Sequence, residues 1–139
     1  MSFGKMPLAN GFLNKDEFES EYFFSMEVGF SEDLSLFQLN DHPAPEKMFN
    51  EKYPFFTGSS EFMKSHFNKF ADWIKKNYIN SKSKLIEVGS NDGTLLRNFK
   101  DSGISYVGFE PCKNIAIEAS KNNIFTLNKF FNLNTINEI

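Results

Sequence analysis

The residues with the clearest chemical meaning are two glycines and an acid in a fixed order. Leu85-Ile-Glu-Val-Gly-Ser-Asn-Asp-Gly93, followed by Tyr106-Val-Gly-Phe-Glu110, reads as a strand, a glycine-rich turn, a helix and a second strand ending in a carboxylate. Leu85 to Val88 suits a buried parallel strand, and Gly89 and Gly93 let the backbone turn tightly beside a ligand. Glu110 lies about 20 residues beyond the loop, where a strand-end carboxylate can accept hydrogen bonds from both hydroxyls of a ribose. The pattern predicts a nucleoside site. A simpler reading makes Gly, Asn and Asp conformational choices for a strand-to-helix turn and Glu110 a solvated strand end. Pro111 and the cap-like Asn114 favour instead a place at the carboxyl edge of an open α/β sheet, where ligands bind.

The loop also narrows the ligand. A dinucleotide site usually carries G-x-G-x-x-G, with the backbone close to a pyrophosphate. Here the middle glycine is missing and Asp92 would face the phosphates, which suits a cofactor without phosphate and with a cationic, amino-acid-bearing end. S-adenosylmethionine fits that description.

These residues need elements to position them. Strands are expected at Leu85 to Val88, Tyr106 to Phe109 and Ile124 to Leu127, with helices over Thr94 to Lys100 and Ile115 to Ser120. Two crossovers then give three adjacent parallel strands, about half of a doubly wound sheet. Gly58-Ser-Ser60 offers capping hydroxyls for a preceding helix, in which Phe62, Met63, His66, Phe67, Phe70, Ala71 and Ile74 recur at three- and four-residue spacing. Ser59 and Ser60 read as caps, because no base is positioned to make either a nucleophile. Further upstream, Tyr22, Phe24, Met26, Val28 and Phe30 alternate with Glu21, Ser25, Glu27 and Gly29, with Phe23 the exception, in the period-two pattern of a half-buried strand. With Ser31-Glu-Asp33 as a turn and Leu34 to Leu39 as its partner, this predicts a hairpin. Asp41-His-Pro-Ala-Pro45 breaks the pattern as a linker. The fold expected is α/β, a partial Rossmann-like parallel sheet over residues 81–139, with a linker and leading helix over 46–80 and a small β-hairpin module over 1–45.

The run from Glu87 to Phe131, with Phe3-Gly-Lys-Met-Pro-Leu-Ala-Asn-Gly-Phe12, Ser35-Leu-Phe-Gln-Leu39 and Tyr53-Pro-Phe-Phe-Thr-Gly-Ser-Ser60 ahead of it, resembles the sugar C-methyltransferases. These class I methyltransferases act on a carbon of nucleotide-linked deoxy-4-keto sugars. In that chemistry a base removes the proton beside a keto group, and the enolate attacks the sulfonium methyl of S-adenosylmethionine. The resemblance implies a cofactor site of Glu87, Gly89, Ser90, Asn91, Asp92, Gly93, Glu110 and Pro111, with Tyr53 and His66 as catalytic candidates. For Tyr53 the competing reading is a packed ring with its hydroxyl at the surface, and for His66 a satisfied core side chain. The family's amino-terminal zinc module uses a cysteine pair upstream of Met6 and a C-x-x-C at the hairpin turn. Here Ser31-Glu-Asp-Leu34 stands at that turn and no thiolate remains to hold zinc. Zinc is therefore expected to be absent, with no metal ligands. The family's catalytic histidine and much of its sugar pocket lie beyond residue 139, so the expectation is a truncated or split enzyme, its base supplied by a second chain, or a non-catalytic remnant.

Composition bounds the rest. The chain has 139 residues, of which 40% are hydrophobic and 17% aromatic, including 18 Phe, enough apolar material for a core. A net charge of -3 without a basic stripe argues against a nucleic-acid partner. No run of about 18 apolar residues and no charged-then-apolar leader occur, so no membrane partner and a cytoplasmic location are expected. A single cysteine, Cys112, agrees with a reducing compartment.

Overall fold

The computed structural model describes residues 1–137, which form two compact units, Met1–Phe49 and Asn50 onward. In the first unit, β1 (Ser2–Pro7), β2 (Phe23–Ser31) and β3 (Leu36–Leu39) make an antiparallel sheet in the order β1-β2-β3, followed by the single turn α1 (Pro45–Met48). The expected hairpin is present as β2–β3, with Val28 opposite Leu39 and Phe30 opposite Phe37. Its second strand starts later than Leu34 because Glu32 to Ser35 close the turn, Ser35 in the left-handed region at φ 49. β1 is an addition to the expected hairpin. A register shift between Ser2 and Lys5, around Gly4 at φ +75, interrupts the period-two pattern that would have marked it. Phe24, Met26 and Val28 form the more buried side of β2, whereas Phe30 is exposed.

The second unit is built on a parallel sheet, β4 (Lys84–Val88), β5 (Ser105–Phe109) and β6 (Thr126–Leu127), ordered β4-β5-β6. Leu85 pairs with Tyr106, Glu87 with Gly108 and Val88 with Phe109; Gly108 then pairs with Thr126. The chain is thus α/β, with an antiparallel and a parallel three-stranded sheet. The core of the parallel sheet gathers Leu96, Ala119 and Ile124, with Leu85 and Tyr106 packed against them. Ala119 comes from α3 (Lys113–Lys121), the link between β5 and β6. A short α4 (Leu133–Ile136) follows β6.

Two expected elements differ. The helix over Thr94 to Lys100 is a single 3₁₀ turn, Leu96–Phe99. The Asn98 amide donates to the carbonyls of both Thr94 and Leu95, diverting acceptors that a longer helix would use. The tight turn has its own packing logic: three-residue spacing eclipses Leu96 and Phe99, and both are fully buried. β6 begins at Thr126 because Ile124 closes onto α3 instead, its N–H donating to Ala119 and its side chain 2% exposed.

The leading helix α2 (Glu61–Asn77) forms as the spacing predicts, but with a narrower buried stripe. Ala71 is buried and Met63, Phe67 and Ile74 are half-buried, while Phe62, His66 and Phe70 are exposed. Lys75 lies over the Phe99 ring, 5.5 Å from its centroid, so the helix meets the 3₁₀ turn that backs the glycine loop. Its first turn is capped by Ser60, whose hydroxyl accepts from the Met63 N–H at 3.3 Å. Ser60→Ala is expected to cost about 1 kcal/mol, read as a lower urea midpoint with unchanged m.

Candidate functional site

The loop after β4 is held by its neighbours on three sides. The Gly89 and Ser90 N–H groups both donate to the Phe109 carbonyl, at 2.8 and 3.0 Å, which carries the β4–β5 ladder past the strand end. Gly89 has φ +71, and nothing lies within 4 Å of where a Cβ would stand, so its open side is free for a ligand. Gly93, at φ +75, is closed instead: a Cβ there would come within 2.9 Å of Ile124. Ser90 crosses over β5 so closely that any side chain at Gly108 would collide with it. Gly108, unassigned in the sequence, is therefore part of the site's framework; a glycine inside a strand is the signal that marks such an approach.

Glu110 is 5% exposed at the carboxyl edge of β5. One carboxylate oxygen accepts from the Asn91 N–H at 3.0 Å and the other from the Cys112 N–H at 2.8 Å. Asn128, beyond β6, donates its amide to the carbonyls of Glu110 and Pro111 at 2.9 and 2.8 Å. It fixes the strand end from the other side, and no motif in the sequence singled it out.

Asp92 does not lie open toward a ligand as the sequence suggested. It is 3% exposed and accepts from the Gly58 N–H at 2.6 Å, the Thr94 N–H at 3.2 Å and the Thr94 hydroxyl at 2.5 Å. Asn91, at φ 50, accepts from the Thr57 N–H at 2.8 Å and donates to the Phe55 carbonyl at 3.1 Å. Together the two side chains bind the segment 55–58 to the loop. Asn114 sits inside α3 and is not its cap; its amide donates to the Tyr53 carbonyl at 2.8 Å.

That anchoring brings Tyr53 to the site. Its pKa is raised, first by burial and then by the nearby Cys112 and Glu110, so the phenol keeps its proton near neutrality. His66 is exposed on α2, in ring contact with Phe67 and Phe70 of the same helix. Burial, a side-chain hydrogen bond to Glu110 and the charge of Glu110 push the Cys112 thiol up to about 12, leaving it a neutral donor.

Glu87 is the unusual member. Its Oε2 is buried without a hydrogen-bond partner. Burial first, then the charges of Asp92 and Glu110, raise its pKa from 4.5 to about 8. Three carboxylates therefore meet at one loop. Two are satisfied by backbone and side-chain donors, and the third holds a proton at neutral pH.

By fold, then, this is an α/β chain with a glycine loop and a strand-end acid side by side at the carboxyl edge of its parallel sheet. No family model matches it. The chain is similar to C-methyltransferase NovU of Streptomyces niveus, with 26% identity over 129 residues that cover 91% of this chain and 30% of that protein. It thus spans less than a third of the length of the curated relative it matches. The likeness supports a family-level relationship to the C-methyltransferases. Among the described residues no three His, Cys, Asp or Glu side chains group as a metal site, and no helix is long and apolar enough to cross a membrane.

The state of Glu87 has a measurable consequence. The folded chain keeps a proton that the unfolded chain releases from about pH 4.5, so stability falls as pH rises from there to about 8. Glu87→Gln removes this dependence. Thermal unfolding should show wild type and variant alike near pH 5 and the variant more stable near pH 8; parallel pH profiles would contradict the assignment.

Proposed function

We propose that this chain carries the adenosyl-cofactor site of a sugar C-methyltransferase and takes S-adenosylmethionine on a Rossmann-like half-sheet. The observation that carries the reading is the juxtaposition of Gly89, open on its ligand side, with Glu110 at the end of the adjacent strand. The residues leave room for the group: the backbone opening at Gly89 would face the methionine end with the unpartnered Glu87 carboxyl beside the loop, Asp92 and Gly93 would hold the loop's shape with Ser90 and Asn91, and Glu110 and Pro111 would border the ribose. When bound, S-adenosylmethionine supplies an activated methyl group. Tyr53, protonated and held against the same loop, would donate a hydrogen bond toward the substrate, a nucleotide-linked deoxy-keto sugar. This reading assigns no role to His66, which is exposed on α2 beside Phe67 and Phe70.

A second reading, a non-catalytic binding module, is favoured by the state of the candidate bases. Asp92 and Glu110 are occupied as hydrogen-bond acceptors, the Cys112 thiol is held neutral, and Glu87 is already protonated. A general base must reach the proton it removes, so on the methyltransferase reading the base and sugar pocket come from polypeptide outside the described residues, such as a second chain.

Calorimetric titration with S-adenosylhomocysteine, on protein shown by circular dichroism to be folded, tests the proposal. Saturable one-to-one binding is expected. Glu110→Ala should weaken it by about 1–3 kcal/mol through lost charged hydrogen bonds. A folded chain that binds nothing contradicts the reading, and unchanged affinity in the variant removes Glu110 from the site.

A further inference from the structure

We propose that the exposed face of α2 is a self-association surface, on which a second copy of this chain lays the same helix antiparallel to the first. The residues involved lie outside the glycine loop and its acids, so the contact is independent of the cofactor reading.

The apolar residues of α2 divide between two faces. Ala71, with the half-buried Met63, Phe67 and Ile74, turns inward, and a second row of rings is left in the open. Phe62 is 78% exposed, Trp73 50% and Phe70 40%, and Tyr78, just past the helix end, is 65% exposed. Spacings of three and four residues keep Phe62, His66, Phe70 and Trp73 on one side of the helix. Their rings form a connected row: His66 stacks on Phe70 with centroids 6.4 Å apart, Phe70 on Trp73 at 5.8 Å, and Trp73 meets Tyr78 edge-on at 5.0 Å. A contiguous apolar patch rimmed by polar residues marks an interaction site.

Charges along the open border of this row identify the occupant. In chain order they are Glu61, Lys69, Asp72 and Lys76, all exposed. Lys69 follows His66 by three residues and Lys76 follows Trp73 by three, which places both beside the rings. Lys64 and Lys75 pair with Glu61 and Asp72 at 2.6 and 3.7 Å, whereas Lys69 and Lys76 have no ion pair among the described residues. A two-fold axis near Phe70, perpendicular to the helix, reverses the order of charges and brings the same border to face itself. Lys69 then comes beside Asp72 of the second copy and Lys76 beside its Glu61, each pair formed twice. The same register sets His66 against Trp73, Phe62 against Tyr78 and Phe70 against its own counterpart. A parallel pairing would instead put each charge opposite its like, which is repulsive. A contact along one 17-residue helix is small beside the about 1,200–2,000 Å² that stable complexes bury, so the dimer is weak and forms at high concentration.

Sedimentation velocity on the 139-residue chain, from low micromolar to near-millimolar concentration, tests this, with Trp73, its single tryptophan, as an internal reporter. The mass is expected to rise from 16.1 kDa toward twice that value, and the Trp73 emission to move to shorter wavelength in step. Phe70→Glu, at an exposed position, should stay monomeric with an unchanged circular dichroism spectrum. Lys69→Asp should weaken association about tenfold, because the axis repeats the lost pair, and Lys69→Asp combined with Asp72→Lys should restore it. That charge exchange decides the matter even if Phe70→Glu does not fold. A chain that is monomeric throughout overturns the proposal. So does a monomer whose Trp73 emission shifts only when vesicles of phosphatidylcholine and phosphatidylserine are added, which assigns the face to a lipid surface. Association that leaves the Trp73 emission unmoved and persists in Phe70→Glu places the contact elsewhere and overturns it as well.

Discussion

The Glu110 carboxylate accepts from two backbone N–H groups that belong to different pieces of the chain, Asn91 in the loop after β4 and Cys112 at the start of α3. A buried carboxylate requires such donors, since burying a charge without hydrogen bonds costs several kcal/mol or more. The same bonds draw the loop and the β5–α3 turn together at the carboxyl edge of the sheet. The other contacts extend this junction. Asn128 holds the Glu110 and Pro111 carbonyls, the Cys112 thiol turns back to Glu110, and the Asn91 and Asp92 side chains fasten the segment that carries Tyr53.

Charge at the junction is balanced by division of labour. Asp92 and Glu110 are surrounded by donors and act as framework, while Glu87 lies between their fields with a buried oxygen that nothing satisfies. An unpaired buried polar atom is uncommon in a folded protein. Here it belongs to the strand that leads into the glycine loop, two residues before Gly89, whose Cβ side is open.

Much of this arrangement was legible in the sequence. Local rules read it where one residue type has one use: Gly89 at a positive φ, Ser60 as a cap, and alternating apolar residues in β2. Contacts distant in sequence were hidden. Asp92 reads as a loop acid open to a ligand, and its inward turn depends on Gly58, which lies far upstream. Asn128 has no local signature, because its partners are carbonyls on a neighbouring strand end. The helix expected over Thr94 to Lys100 has the propensity for one, but Asn98 bonds the backbone carbonyls and the core takes Leu96 and Phe99 at three-residue spacing. His66 lies on the anticipated helix with its ring exposed, because the buried stripe is narrower than the apolar pattern.

The central claim is that the junction of Glu110 with the glycine loop is a ligand site. Amide-resolved NMR of the ¹⁵N-labelled chain during addition of S-adenosylhomocysteine tests it most directly, because the framework amides of Gly89, Asn91 and Cys112 report from both sides of the junction. The account predicts that these three shift together and saturate at one ligand per chain. Saturable shifts confined to other parts of the molecule, with these amides unmoved, would contradict it.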